Sequence, residues 1–286
     1  MADRPRLTPP VADTRTPKLK LPAGACDTHF HIYGPQAKFP LPAQRPYDTD
    51  DLPVEALLAL HAKLGVSRGV IVQSMLHGNT FEYLIDACAR FPDRLRGVAM
   101  PAADVSDADL ARMEKSGIVA HRVAYRWSPK VDERFLARLV ERGWHIQFWV
   151  RSEAEMLDWE PIMRRTKAPI VIDHMGWQDA GNGTETRGFR AVLDLLGSGK
   201  AYVKLSGPYR FSRAPRAPWP DVLPFVRKLV ATAPERLLWG TDWPHPDHHG
   251  EMPNDADFVD VLADWLPTEA LRQQVLVDNP ARLFRF

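Results

Sequence analysis

The chain has 286 residues, 45% hydrophobic and 26% charged, with a formal net charge of +1. This composition fits a soluble globular protein of one large domain or two small ones. There is no basic excess to suggest nucleic acid and no acidic tail, and no apolar run approaches the roughly 20 residues of a membrane span.

Residues 1–20 are rich in Pro, Thr, Arg and Lys and lack an apolar core. They read as a flexible arm rather than a secretory signal, with residues 21–286 as one domain. Two cysteines, Cys26 and Cys88, cannot make a disulfide framework, so a reducing cytoplasm is the expected setting. Apolar strands are predicted at Ala25–Tyr33, Ser67–Gln73, Leu95–Met100, Gly117–Val123, Trp144–Val150, Pro169–His174, Ala201–Ser206 and Arg236–Asp242. Between them lie helical stretches at Val54–Lys63, Thr80–Arg90, Asp107–Lys115, Glu133–Glu141, Glu153–Arg165, Phe189–Leu196 and Pro220–Ala231. Asp255–Leu266 follows the last strand, and Thr268–Val277 adds a terminal helix.

Continuous apolar runs such as Gly69–Val72 and Pro169–Ile172 suit strands buried on both faces, as in parallel sheets. Alternation of strand and helix argues for βα units. Eight such units in about 250 residues match an α/β fold, the closed (β/α)8 TIM barrel. An open doubly wound sheet is the alternative, but the Gly-rich loop that usually follows its early strand is absent.

In a barrel, chemistry collects at the C-terminal strand ends. The first strand ends with His29 and His31, two residues apart and therefore on one face. Two such imidazoles can bind one metal ion or polarise one substrate oxygen. The eighth ends with Asp242, flanked by Trp243 and Pro244. There a partly desolvated carboxylate can take a proton from water, or simply cap the next helix. His174, ending the sixth, can hydrogen-bond a carbonyl oxygen, hold a metal or pack in the core. Arg210, Arg122 and Arg126 are candidate clamps for a substrate carboxylate, because guanidinium pairs bidentately with planar anions; surface salt bridges are the plainer reading. The register of the fourth strand leaves the choice between Arg122 and Arg126 open. Tyr47 and Ser74 can donate to a carboxylate, Trp149 can line the pocket wall, and His77 is expected at the mouth. His245, His248 and His249 read as a polar loop near the pocket rather than a second metal site.

The segments Asp27–His31, Val171–Gly176 and Leu238–Pro246 resemble the second branch of the amidohydrolase superfamily. Within it the chain resembles the 2-pyrone-4,6-dicarboxylate lactonases and nearby lactone hydrolases that act on sulfomuconolactone or sugar lactones. The resemblance covers most of residues 21–286, including Gly69–Ser74 with His77–Thr80, Lys204–Arg210 and Asp278–Phe284. It implies a lactonase opening a small carboxylated lactone. Asp242 would activate water, His29, His31 and His174 would polarise the ring carbonyl, and the arginines would hold the substrate. The fifth strand lacks the terminal His of metal-dependent relatives, His145 lying at its start. The fourth offers Arg122 where binuclear relatives carry a bridging Lys or Glu. The resemblance therefore implies no required metal, with one Zn²⁺ on His29, His31 and Asp242 as the alternative. A metal-dependent decarboxylase and a non-catalytic barrel binding a sugar acid remain as rival readings. A monomer or small homo-oligomer is expected.

Overall fold

The computed structural model describes residues 4–126 and 131–286. Its eight strands are β1 (Cys26–Phe30), β2 (Arg68–Val72), β3 (Leu95–Ala99), β4 (Ile118–Ala124), β5 (His145–Trp149), β6 (Ile170–Ile172), β7 (Ala201–Leu205) and β8 (Leu237–Trp239). They lie side by side in chain order, each parallel to the next. Helices α1 (Val54–Leu64), α2 (Glu82–Arg90), α3 (Asp107–Ser116), α4 (Glu133–Glu141), α5 (Glu153–Arg165), α6 (Arg187–Gly197) and α7 (Leu223–Thr232) follow the first seven strands. The side chains of Ser106, Ser152 and Thr186 accept backbone N–H groups at the starts of α3, α5 and α6, satisfying donors that have no partner within the helix. Among the described residues no helix is long and apolar enough to cross a membrane.

Alternation along the strands sorts the apolar side chains into two layers. Ile71, Ile146, Phe148, Ile170, Ile172 and Val203 face outward and pack with the helices. Val70, Val72, Val98, Ala120, Val171, Tyr202 and Leu238 fill the bore. This is the predicted (β/α)8 barrel.

The seam between β8 and β1 positions the site. Thr28 Oγ1 donates to the Trp239 carbonyl at 2.8 Å. Just beyond the strand ends, Asp242 N–H donates to the His29 carbonyl at 2.7 Å and His31 N–H to the Trp243 carbonyl at 2.7 Å. The chain can approach this closely because residue 240 is glycine. A Cβ there would lie 2.7 Å from both the Cβ and the backbone nitrogen of His29. β8 stops at Trp239, short of the predicted Asp242, which turns into the left-handed region. β6 likewise stops at Ile172, because His174 and Met175 turn into the left-handed region.

Past β8 the chain forms α8 (Asp255–Asp260), α9 (Leu262–Trp265), α10 (Glu269–Gln273) and α11 (Asn279–Phe284), with a π turn at Gln274–Asp278. The predicted helix Asp255–Leu266 is thus split, and the terminal helix runs beyond Val277. Phe284 joins the bore cluster and contacts His145 at the start of β5, plugging the floor of the barrel.

Residues 4–20 make specific contacts rather than trailing as the expected flexible arm; residues 1–3 lie outside the described residues. Leu7 N–H donates to the Asp48 carbonyl at 2.8 Å, and Asp48 N–H to the Pro5 carbonyl at 2.9 Å. Leu7 is buried against Tyr33 and Leu76, Arg6 pairs with Asp50, and Arg15 donates to Asp260 at 2.6 Å. Charge and one apolar anchor, spaced through a Pro-rich stretch with no periodicity, hold the segment in place.

Candidate active site

The seam and the end of β6 gather His29, His31, His174 and Asp242, all buried. Asp242 and His174 adopt positive φ of 65° and 50°. Left-handed backbone at non-glycine residues costs about 1–3 kcal/mol each and persists only where surrounding contacts impose it. Gly207 makes room for His174, since a Cβ there would lie 2.8 Å from His174 Nδ1.

The two carboxylate oxygens of Asp242 differ. Oδ2 accepts from Arg210 Nε at 2.6 Å and from the Tyr209 hydroxyl at 2.8 Å. Oδ1 is buried without a hydrogen-bond partner. It lies 3.6 Å from His29 Nε2 and 3.6 Å from His31 Nε2. His174 Nε2 is 3.9 Å from Oδ2. His31 Nδ1 contacts the Val72 carbonyl at 2.7 Å, which requires the proton on Nδ1. In neutral His31, Nε2 is therefore an acceptor. This corrects its expected role as a donor to the substrate carbonyl. His174 Nδ1 is 2.9 Å from Ser206 Oγ, whose hydroxyl can donate to it and leave Nε2–H facing Asp242.

Burial pushes the Asp242 carboxyl up, but Arg210 and the adjacent histidines pull harder and hold it well below the usual carboxylate range. Burial drives His29 well below the ordinary histidine value, lowers His31, and takes His174 to about 4. The group at neutral pH is one carboxylate among neutral imidazoles.

A cavity of about 270 Å³ opens above Asp242, His31 and His174. Arg122, Arg126, Arg210, Tyr47, Ser74 and Trp149 line it, as do residues 5–8 and the loop from Pro246 to His249. Arg122, in β4, and Arg126, two residues beyond its end, thus both reach the cavity. Arg122 Nε also donates to Asp173 Oδ2 at 3.1 Å, and its guanidinium lies over the Trp149 ring. The hydroxyls of Tyr47 and Tyr33 each lie 3.2 Å from Ser74 Oγ. Two residues fall elsewhere. His29 lies beneath the cavity and does not line it. His77, expected at the mouth, is buried between the Tyr33 and Tyr83 rings, its own ring 3.6 Å from that of Tyr83. Of the His-rich tract, His248 and His249 line the cavity, whereas His245 is buried 3.2 Å from Asp255.

Beneath the site sits a layer the sequence reading missed. Lys204, from β7, is fully buried. Its Nζ donates to Gln147 Oε1 at 2.8 Å and lies 3.2 Å from His29 Nδ1 and 3.3 Å from Asp173 Oδ1. Burial lowers its pKa to about 8 despite Asp173. Gln147 Nε2 completes the layer by donating to Asp173 Oδ2 at 3.0 Å. The available signal was a lone lysine inside the apolar run Ala201–Leu205, in step with the bore-facing Tyr202.

Among the described residues, two sets of three side chains have the spacing of a metal site: His29, His31 and Asp242, and His29, Asp173 and His174. In the first set His31 has the right tautomer, and Asp242 Oδ1 and His29 Nε2 both lack partners. His29 fits only with its proton on Nδ1, facing Asp173 Oδ1 at 3.2 Å; a donated bond from Lys204 puts that proton on Nε2.

The family model described as amidohydrolase matches residues 26–286. The chain belongs to the amidohydrolase family. It is 35% identical to a 2-pyrone-4,6-dicarboxylate hydrolase of Comamonas testosteroni, over 96% of this chain and 94% of the relative. It is also 35% identical to a 4-sulfomuconolactone hydrolase of Rhizobium radiobacter, over 99% of this chain and 98% of the relative. A solved structure of a putative 2-pyrone-4,6-dicarboxylic acid hydrolase from Pseudomonas putida superposes with TM-score 0.80 and 32% identity, covering 93% of this chain and 98% of that one. These amidohydrolase relatives share the whole barrel, not one segment of it.

Proposed function

We propose that this amidohydrolase hydrolyses a small carboxylated lactone. The observation that carries the reading is the pair of acceptors, Asp242 Oδ1 and His31 Nε2, 3.6 Å apart with no donor between them, beside a cavity lined by three arginines. Two buried acceptors so close call for a donor of two protons, and water is one.

Water donates to Asp242 Oδ1 and His31 Nε2, which turns its lone pairs toward the ring carbonyl above. As the C–O bond forms, one proton passes to Asp242. A strongly depressed carboxylate is a weak base toward free water, so the transfer accompanies bond formation rather than preceding it. His174 Nε2–H donates to the carbonyl oxygen, with His29 supporting Asp242 from beneath; losing one such donor costs about 100- to 1000-fold in rate. The ring C–O bond then breaks, and protonated Asp242, a strong acid in this setting, returns the proton to the leaving oxygen. Arg122, Arg126 and Arg210, with Tyr47 and Ser74, hold the substrate carboxylate and orient the ring. Relatives of this chain are named for carboxylated and sulfonated lactones, both of which carry an anion for these arginines.

No metal step is required. Were zinc bound, His31, Asp242 and His29 with its proton moved to Nδ1 would hold it, and it would acidify bound water. The test is a panel of dicarboxylated, sulfonated and neutral sugar lactones, assayed before and after exhaustive chelation. We expect turnover of an anionic lactone that survives chelation. An inactive metal-free protein that zinc restores would contradict the metal-independent mechanism, and carbon dioxide release without ring opening would favour a decarboxylase.

A further inference from the structure

Lys204 touches neither the cavity nor Asp242, yet a fully buried ammonium is among the rarest features of a protein interior unless each of its protons is used. Three acceptors surround Nζ: Gln147 Oε1 at 2.8 Å, His29 Nδ1 at 3.2 Å and Asp173 Oδ1 at 3.3 Å. An ammonium has three donors and no lone pair, so its contact with His29 is favourable only when Nδ1 is bare. A proton on Nδ1 would point the His29 N–H into the same crowded corner as the ammonium. Asp173 invites that alternative, its Oδ1 being 3.2 Å from His29 Nδ1. Arg122 and Gln147 donate to its Oδ2, while Oδ1 has no hydrogen-bond partner; the Lys204 ammonium, 3.3 Å away, is a donor that can serve Oδ1 without a proton on His29 Nδ1.

We infer that Lys204 is a positioning residue that fixes the His29 proton on Nε2, so that His29 presents an N–H 3.6 Å from Asp242 Oδ1 and not a metal-ligating lone pair. The two histidines of the His-x-His pair then present opposite polarity to Asp242 Oδ1: His29 an N–H, His31 a lone pair. The catalytic part of this inference rests on the lactone-hydrolysis reading; the tautomer and the metal preference do not.

The test begins with ring nitrogen shifts of His29 in the ¹⁵N-labelled full-length protein at neutral pH, assigned by their loss in His29→Gln. We expect a protonated Nε2 and a bare Nδ1 in the wild type. A wild-type His29 protonated on Nδ1 overturns the inference, whatever the protein hydrolyses. The second arm is zinc titration by calorimetry. Lys204→Met removes the donor and frees Nδ1–H to bond Asp173, so zinc affinity should rise about 10- to 100-fold. Lys204→Arg keeps a donor and should stay near wild type. Equal zinc affinity in all three proteins overturns the inference. On an active lactone, Lys204→Met should lower kcat with little change in KM, and Lys204→Arg should recover part of the loss.

Discussion

Arg210 Nε lies 2.6 Å from Asp242 Oδ2, so the arginine expected to clamp substrate is also the principal charge that keeps Asp242 ionised. The two roles separate by substrate. Arg210→Met should lower kcat on anionic and neutral lactones alike, because Asp242 loses its partner in both cases. KM should rise a further tenfold or more, about 1.4 kcal/mol, only on the anionic lactone. An unchanged kcat on a neutral lactone would show that the pairing with Asp242 has no catalytic part.

Gly240 tests the seam. A methyl group there meets the backbone of His29, which cannot rotate away as a flexible side chain would. Gly240→Ala should cost about 1–3 kcal/mol of stability, as overpacking does, and displace Asp242 from the histidines. A lowered urea midpoint together with lost turnover is expected. A variant with wild-type midpoint and rate would mean that the β1–β8 approach is not tight.

Acid should destabilise the fold before it reaches the carboxylates. Burial lowers His77 and His145 to about 3 and His121 and His174 to about 4. In the unfolded chain these groups titrate near 6.5. Below that pH the unfolded state binds protons that the folded state refuses, so stability is full above about 6.5 and falls as pH drops toward 4. The depressed Asp173 and Asp242 act in the same direction at still lower pH. The urea midpoint should fall only slightly from pH 8 to 7 and correspond to a loss of at least about 1 kcal/mol by pH 5. A midpoint independent of pH down to 5 would contradict the burial of these histidines.

The barrel, and the gathering of the candidate site's His29, His31, His174 and Asp242, were legible because both are written at strand ends. Short strand-like segments that end in a titratable side chain and a turn mark His29, His31, His174 and Asp242 without any knowledge of contacts. The partners were not legible. Tyr209 and Arg210 bond Asp242 across more than thirty positions, which no local pattern encodes. Lys204 sits inside a strand with apolar residues on either side, so no strand end marks it. His77 follows a strand end as His31 does, but a short 3-10 turn swings it between two tyrosine rings. Strand lengths failed at β6 and β8 for one reason: His174 and Asp242 leave the ladder in left-handed conformations to face each other.

The role of Asp242 as proton shuttle is decided by the turnover of Asp242→Asn on an anionic lactone that the wild type hydrolyses. Asparagine keeps the shape and can still accept from Arg210, but it cannot take a proton from water. A loss of at least about a thousandfold in kcat is expected, with a cooperative urea transition retained. A folded Asp242→Asn protein turning over at close to the wild-type rate would contradict that role.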